Sequence, residues 1–468
     1  MFGIFLIALY LVIAIPHDAH AYLDPASGNA LIASLIALAG TSLYMCKSLF
    51  YKIIARLTIS SPSSNAQLIE KDQTLLIFSE GKTYWSTFHP IINELIKQKK
   101  HFRYITLDVH DPALCIDSKF MHSKLYYRTQ LSFAQLAKIK APVMLATTTN
   151  IGSPGYPMKR PLQVEILVHI FHAMSNISNY KKGSLDYYDV VLMIGDHEKT
   201  PIRTVESARQ TKKKELVTCG LPYLDDLYKQ KQEVETIKAE TSRANTTILV
   251  APSWGSKGCF SEYGIDFIEN LSQAGFSIII RVHPHSYNFE PDTVKRWQEK
   301  TIKLSNVVWD TETFGTKAMQ QADILISDTS SIRFDFAFLY KKPVITLDIP
   351  KESREEFESV YLDQPWADMV SSHIGSVVNH ESIDRLTEIV KSTLEDFPRQ
   401  KLHKLRDTTI ANFGNSAPKI VRYLFEKIEE ESLSLSDKKI KEEILEMKQE
   451  LTELRKDIKN IQAAQKGI

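Results

Sequence analysis

Reactive side chains gather at four places where an apolar run gives way to small or polar residues. In the first, Ile324-Leu325-Ile326 leads into Ser327-Asp328-Thr329-Ser330-Ser331, and an apolar-periodic stretch from Ile332 to Leu339 follows. Ser330 and Ser331 fall at or near the N-cap of that stretch. Unpaired backbone N–H groups, hydroxyls and the positive end of a helix dipole would converge there, which suits a diphosphate without a metal. A capped helix that binds nothing is the bland alternative. The second place, Arg281-Val282-His283-Pro284-His285, ends the run Ile278-Ile279-Ile280. Arg281 has the fork that fits phosphate, His283 can donate to an oxyanion or move a proton near neutral pH, and Pro284 stops the strand. The third is His172, closing Val164 to Phe171 ahead of Ala173. It is placed to act as general base on a hydroxyl, whereas His169 in the same run reads as a core residue. The fourth is Pro252-Ser253-Trp254, where Trp254 either lines a nucleotide pocket or plugs the floor between domains.

These residues need elements to hold them. β-branched runs suggest strands at Thr74 to Phe78, Phe102 to Leu107, Val143 to Ala146, Val164 to Val168 and Asp189 to Ile194. A second series covers Thr247 to Ala251, Ser277 to Val282, Val307 to Trp309, Ile324 to Ser327 and Pro343 to Leu347. Helices are expected between them, including Phe88 to Lys99 and Tyr263 to Ala274. Two successive alternations of strand and helix predict an α/β protein with two Rossmann-like domains. Their parallel sheets would face a cleft at the carboxyl ends of the strands. The polar stretch Lys229 to Ala244 reads as the linker, which sets the two domains at 58–240 and 241–428. Lys212-Lys213-Lys214 and the basic run from Lys97 to Arg103 read as solvated faces.

The 468 residues carry 43% hydrophobic and 24% charged side chains, an ordinary globular mix in a chain long enough for several domains. A net charge of +1 argues against a general nucleic-acid binder. The four cysteines are widely spaced and form neither a zinc site nor a disulfide framework. No set of ligands calls for a metal or other cofactor.

The two ends differ from the middle. No Lys or Arg precedes Lys47. Met1 to Ile15 is apolar and is followed by Ala19-His20-Ala21, so residues 1–21 read as a signal-peptide-like or first membrane segment. A second apolar run, Ala30 to Cys46, is followed by Lys47, Lys52 and Arg56, which makes 22–57 a membrane anchor with a basic flank. The charge asymmetry puts everything beyond Lys47 in the cytoplasm. At the other end, Ile440, Ile444, Met447, Leu451, Leu454, Ile458 and Ile461 are spaced alternately four and three apart. Glu443 and Glu450 fall at g and Lys448 and Arg455 at e, so 429–468 is expected to form a parallel homo-oligomeric coiled coil.

Taken in order, Phe171-His172-Ala173, Ala251-Pro252-Ser253-Trp254, Arg281-Val282-His283-Pro284 and Ser327 to Ala337 resemble the CDP-glycerol glycerophosphotransferase family of teichoic-acid polymerases and primases. The resemblance spans roughly Leu75 to Leu347 and implies the two-domain architecture called GT-B. The implied reaction moves a polyol phosphate from a CDP-polyol donor to a hydroxyl of a lipid-linked or glycan acceptor, releasing CMP. It assigns His172 to the acceptor hydroxyl and His283 to the donor phosphate. Arg281, Ser327, Thr329, Ser330 and Ser331 fall to donor phosphate binding, and Pro252, Ser253, Trp254 and His285 to the nucleotide pocket. The family usually has a Trp where Phe171 stands, an Arg at Gly255 and an aromatic residue at Thr329. A GT-B glycosyltransferase or epimerase using a UDP-sugar, and a non-catalytic scaffold for envelope synthesis, are the rival readings. With the anchor, the expected location is the bacterial inner membrane, catalytic domains facing the cytoplasm.

Overall fold

The computed structural model describes residues 74–174, 177–237, 245–255, 258–312, 315–350, 356–433 and 447–449. The apolar runs before residue 57 lie outside the described residues, and so does the heptad seam apart from Met447. Among the described residues no helix is long and apolar enough to cross a membrane.

Two parallel sheets organise the chain. The first contains β1 (Leu75–Ser79), β2 (Phe102–Thr106), β3 (Met121–Leu125), β4 (Lys140–Ala146), β5 (Gln163–Ile170), β6 (Val190–Met193) and β7 (Glu215–Thr218) in the order 3-2-1-4-5-6-7. The second contains β8 (Thr247–Ala251), β9 (Ser277–Ile280), β10 (Val307–Trp309), β11 (Ile324–Ser327), β12 (Val344–Leu347) and β13 (Gly375–Val378) in the order 10-9-8-11-12-13. Every pairing is parallel. The central strands β1, β8 and β11 are buried at every position, as continuous apolar runs covered on both faces should be. In each sheet the order reverses beside the first strand, at β1/β4 and at β8/β11. In open α/β sheets, ligands are bound by the loops that leave the strands at such reversals. The architecture is α/β and GT-B-like.

Among the described residues, the connections between the two lobes include three that are made by hydrogen bonds and helix packing. The first is helix α2 (Pro222–Ile237), which packs beside α1 (Trp85–Lys97) of the first lobe. His89 of α1 meets Asp226 at 2.7 Å. From α2, the Tyr223 hydroxyl donates to Asp335 of the second lobe at 2.9 Å, and Gln230 accepts from Thr316. This helix corrects the linker expected at Lys229 to Ala244, because residues 229–237 continue α2; the remainder, 238–244, is outside the described residues. A second connection lays residues 356–358 beside 180–183. Lys182 N donates to Glu356 O, Glu358 N to Tyr180 O, and Arg209 pairs with both Asp186 and Glu358.

The third connection returns the chain to the first lobe. Asp225 accepts from Gly414 N and from Ser416 N and Oγ. A helix over 417–433 then buries Ile420, Val421, Leu424 and Ile428 in the core formed by Leu75, Ile77, Phe88, Ile92 and Val168. Each of those aliphatic side chains contributes about 1.5–3 kcal/mol on burial. The core of the N-terminal lobe is thus completed by residues near the C-terminus.

Candidate active site

The acceptor-lobe candidate, His172, sits two residues beyond the end of β5. Alternation along β5 turns His169 into the core, where it is fully buried. Its Nε2 meets the Tyr180 hydroxyl at 3.1 Å, and burial pushes its pKa down to about 3. His172 is part-buried with an enclosed Nδ1 that has no hydrogen-bond partner, and the Tyr84 ring lies edge-on at 5.0 Å. Burial lowers its pKa to about 4, opposed by the negative charge of Glu80. The ring is therefore neutral at pH 7.

Glu80 belongs to a group that the sequence reading did not single out. Its carboxylate accepts from the Tyr156 hydroxyl at 2.9 Å and from Arg128 at 3.1 Å, and Arg128 also donates to the Glu80 carbonyl. Exit loops of β1 (Glu80, Tyr84), β3 (Arg128), β4 (Tyr156) and β5 (His172) thus converge at the carboxyl edge of the first sheet. Burial beside Glu80 holds the Tyr84 hydroxyl at a pKa of about 12 and raises that of Tyr156. Both stay protonated as donors. Gly81 fixes the β1 loop: its φ is +136°, and a Cβ there would lie 2.4 Å from the Cβ of Asp108. Asp108 in turn accepts from Lys82 N and His110 N.

In the second lobe the exit loops of β8 and β11 meet at Asp328. This carboxylate is wholly buried and accepts from Ser253 N after β8, from Cys259 N, and from Ser330 N in its own loop. An acid in that position reads at first as hostile to an anion site. Its oxygens are occupied by backbone amides, and its effect is to gather the loops. Ser331 is the N-cap of α4 (Ile332–Tyr340) and makes no side-chain capping bond; Ser330 and Ser331 are part-buried and Thr329 is exposed. Beneath them Arg333 is only 2% exposed and donates to Ser330 O, Thr346 Oγ1 and Ser371 Oγ.

His283 caps α3 (Pro284–Phe289), its Nδ1 accepting from His285 N at 3.1 Å. Pro284 begins a helix there, and the strand before it ends at Ile280 rather than Val282. In the neutral ring, favoured by burial and by nearby His285 and Arg281, the proton therefore sits on Nε2; the pKa falls to about 4. The Trp254 ring lies 6.4 Å from that of His283 and 5.2 Å from that of His285. Trp254 is 48% exposed and does not plug the interdomain floor. With Phe289, Glu290, Arg296 and Trp297 it lines a pocket of about 670 Å³. Pro252 is buried below this loop.

Two expected phosphate ligands are placed otherwise. Ser327 is wholly buried and its hydroxyl donates to Ala251 O at 2.6 Å, tying β11 to β8. Arg281 pairs with Asp310 at 2.7 Å and donates to Glu312 O, which braces the loop after β10. Both have one cause: a polar residue at or just past the end of a buried strand first satisfies the strands and loops beside it. Among the described residues no cluster of His, Cys and carboxylates could hold a metal ion.

Comparison with known proteins narrows the chemistry. The wall teichoic acid polymerase TagF is similar in structure at 15% identity, over 77% of this chain and 90% of that one, with a TM-score of 0.50. The UDP-GlcNAc 2-epimerase from Neisseria meningitidis, bound to UDP-GlcNAc, matches at 15% identity over 75% and 99%, with a TM-score of 0.51. The epimerase from Methanocaldococcus jannaschii matches at 14% over 75% and 99%, with a TM-score of 0.50. At such identities these likenesses concern the fold. No curated protein sequence matches the chain. The model of one family, CDP-glycerol:poly(glycerophosphate) glycerophosphotransferase, matches residues 60–426, which include both lobes and all the loops above. The chain belongs to that family and is an enzyme of the CDP-glycerol glycerophosphotransferase type.

Proposed function

We propose that the protein is a membrane-associated transferase that moves glycerol phosphate, or a similar polyol phosphate, from a CDP-polyol to a hydroxyl of a lipid-linked or glycan acceptor. The observation that carries this reading is the start of α4. There an uncapped Ser331, the Ser330 loop and the Nε2–H of His283 leave donors at the carboxyl ends of β9 and β11, within the region matched by the family. Such donors suit the diphosphate of the nucleotide. The acceptor oxygen attacks the phosphorus that bears the polyol, and the phosphoanhydride bond to CMP breaks. The acceptor proton passes to Nε2 of His172, and CMP leaves with the bonding electrons. The helix start and His283 stabilise the charge that develops on the bridging oxygen. No metal or cofactor enters this scheme.

The apolar runs of residues 1–57 would hold the catalytic lobes on the cytoplasmic face of a bacterial inner membrane, next to lipid-linked acceptors. The heptads of 440–461 would gather protomers as a parallel coiled coil. The rival donor is a UDP-sugar, because the epimerases share the fold. Release of CMP from CDP-glycerol by the purified full-length chain, with a lipid-linked glycan acceptor, tests the proposal against UDP-GlcNAc turnover. CMP release well above UDP release is expected, and His172→Ala and His283→Ala should each lower it by at least about 10²-fold while the melting transition persists. Turnover of UDP-GlcNAc alone, or near-wild-type activity in both variants, would overturn it.

A further inference from the structure

Arg333 is among the largest fully buried side chains of the protein, and it lies directly under the candidate phosphate loop. Its three hydrogen bonds end on neutral oxygens: the carbonyl of Ser330 and the hydroxyls of Thr346 and Ser371. Among the described residues it makes no ion pair with a carboxylate. A guanidinium buried in that way is costly unless opposite charge is supplied nearby. Asp328 supplies part of it, on the far side of the Ser330 peptide, but its oxygens are held by the amides of Ser253, Cys259 and Ser330. Ser330 is therefore held between a buried anion on its N–H and a buried cation on its C=O, the latter acting on the Ser330–Ser331 peptide. Burial lowers the pKa of Arg333 to about 10, still charged at neutral pH, with Asp328 and Asp368 opposing the fall. Positive charge thus lies beneath the helix start, in a medium where it is weakly screened.

We propose that Arg333 is a positioning residue for polyanions, acting through the Ser330 peptide and by its charge to favour ligands at the start of α4 in proportion to their phosphate charge. This rests on reading Ser330 and Ser331 as the donor phosphate site. A residue that only cross-links the loop to Thr346 and Ser371 would weaken all ligands alike.

The test is calorimetric titration of the full-length chain with cytidine, CMP and CDP, which add phosphate charge stepwise to one nucleoside. Wild type should bind CDP much more tightly than cytidine. Arg333→Met should weaken CDP by at least about tenfold and cytidine by no more than about twofold, and Arg333→Lys, which keeps the charge, should stay within about threefold for all three. Arg333→Gln replaces Arg333→Met where the latter does not fold. An unchanged ratio of CDP to cytidine affinity in the neutral variant would overturn the role of Arg333. Wild type that fails to prefer CDP would overturn the site reading beneath it.

Discussion

At the scale of single residues, the histidines and one carboxyl dictate how the protein responds to pH. His172 titrates at about 4, so the acid limb of kcat/KM should lie well below the ordinary histidine value of about 6.5, with activity flat from pH 5.5 to 7. Glu80 raises that value; Glu80→Gln should move the limb to lower pH, and a pH-rate profile of the variant checks the sign. A midpoint near 6.5 in wild type would contradict the enclosed, neutral ring. Stability has its own pH terms, of opposite sign. His169, lowered to about 3, binds a proton more readily when unfolded, so it costs stability as pH falls below about 6.5. Asp335, enclosed with one oxygen on the Tyr223 hydroxyl and the other without a partner, is raised by burial to about 7. Its folded form holds the proton more tightly than the unfolded one, so its contribution is full below about pH 4 and is lost as pH rises through about 7. Asp335→Asn should therefore flatten the stability curve between pH 5 and 8 in urea unfolding, by a few kcal/mol at the alkaline end.

At the scale of elements, the site is made by loop anchors more than by the loops' own sequence. Asp328 receives the amides of Ser253 and Cys259 from the β8 exit loop and that of Ser330 from its own loop; Asp328→Ala would leave three wholly or partly buried N–H groups without that acceptor. A loss of about 3–5 kcal/mol in stability and a raised KM for the donor are expected, measured by denaturant unfolding and initial rates. Gly81→Ala forces a side chain into left-handed backbone against Asp108 and should displace Glu80, lowering kcat with it. The sequence shows why some of this was legible. β8 and β11 were expected at the bounds found, because buried parallel strands are unbroken apolar runs, and so was β10, an edge strand whose short run Val307-Val308-Trp309 holds no charged or small polar residue. β3 (Met121–Leu125), β7 (Glu215–Thr218) and β13 (Gly375–Val378) were not, since each lies toward a sheet edge with polar residues in its run. Tyr263 to Ala274 was expected as one helix and holds one over Asp266–Gln273, while the short helix Cys259–Glu262 before it was not expected. Lys214 was read as a solvated charge and is buried against Glu206 at 3.6 Å. Partners such as Glu80, Arg128 and Tyr156 come from separate exit loops, and no spacing along the chain announces that they meet.

At the scale of the whole molecule, the N-terminal lobe depends on the last described helix. Removing 417–433 strips Ile420, Val421 and Leu424, all fully buried, from its core; at about 2 kcal/mol each this is comparable to the entire stability of a domain. Truncation before Ala417 should give insoluble or unfolded protein, whereas truncation after residue 433 should keep the fold and alter only assembly, read by light scattering. The family match spans both lobes, and the proposed chemistry requires them together. Its central claim is where the donor diphosphate rests. A crystal structure of the full-length chain with CDP tests that most directly: the account predicts phosphate oxygens at the start of α4, within hydrogen-bond distance of Ser330, Ser331 and His283. A diphosphate bound away from that helix start, with Ser331 and His283 untouched, would contradict it.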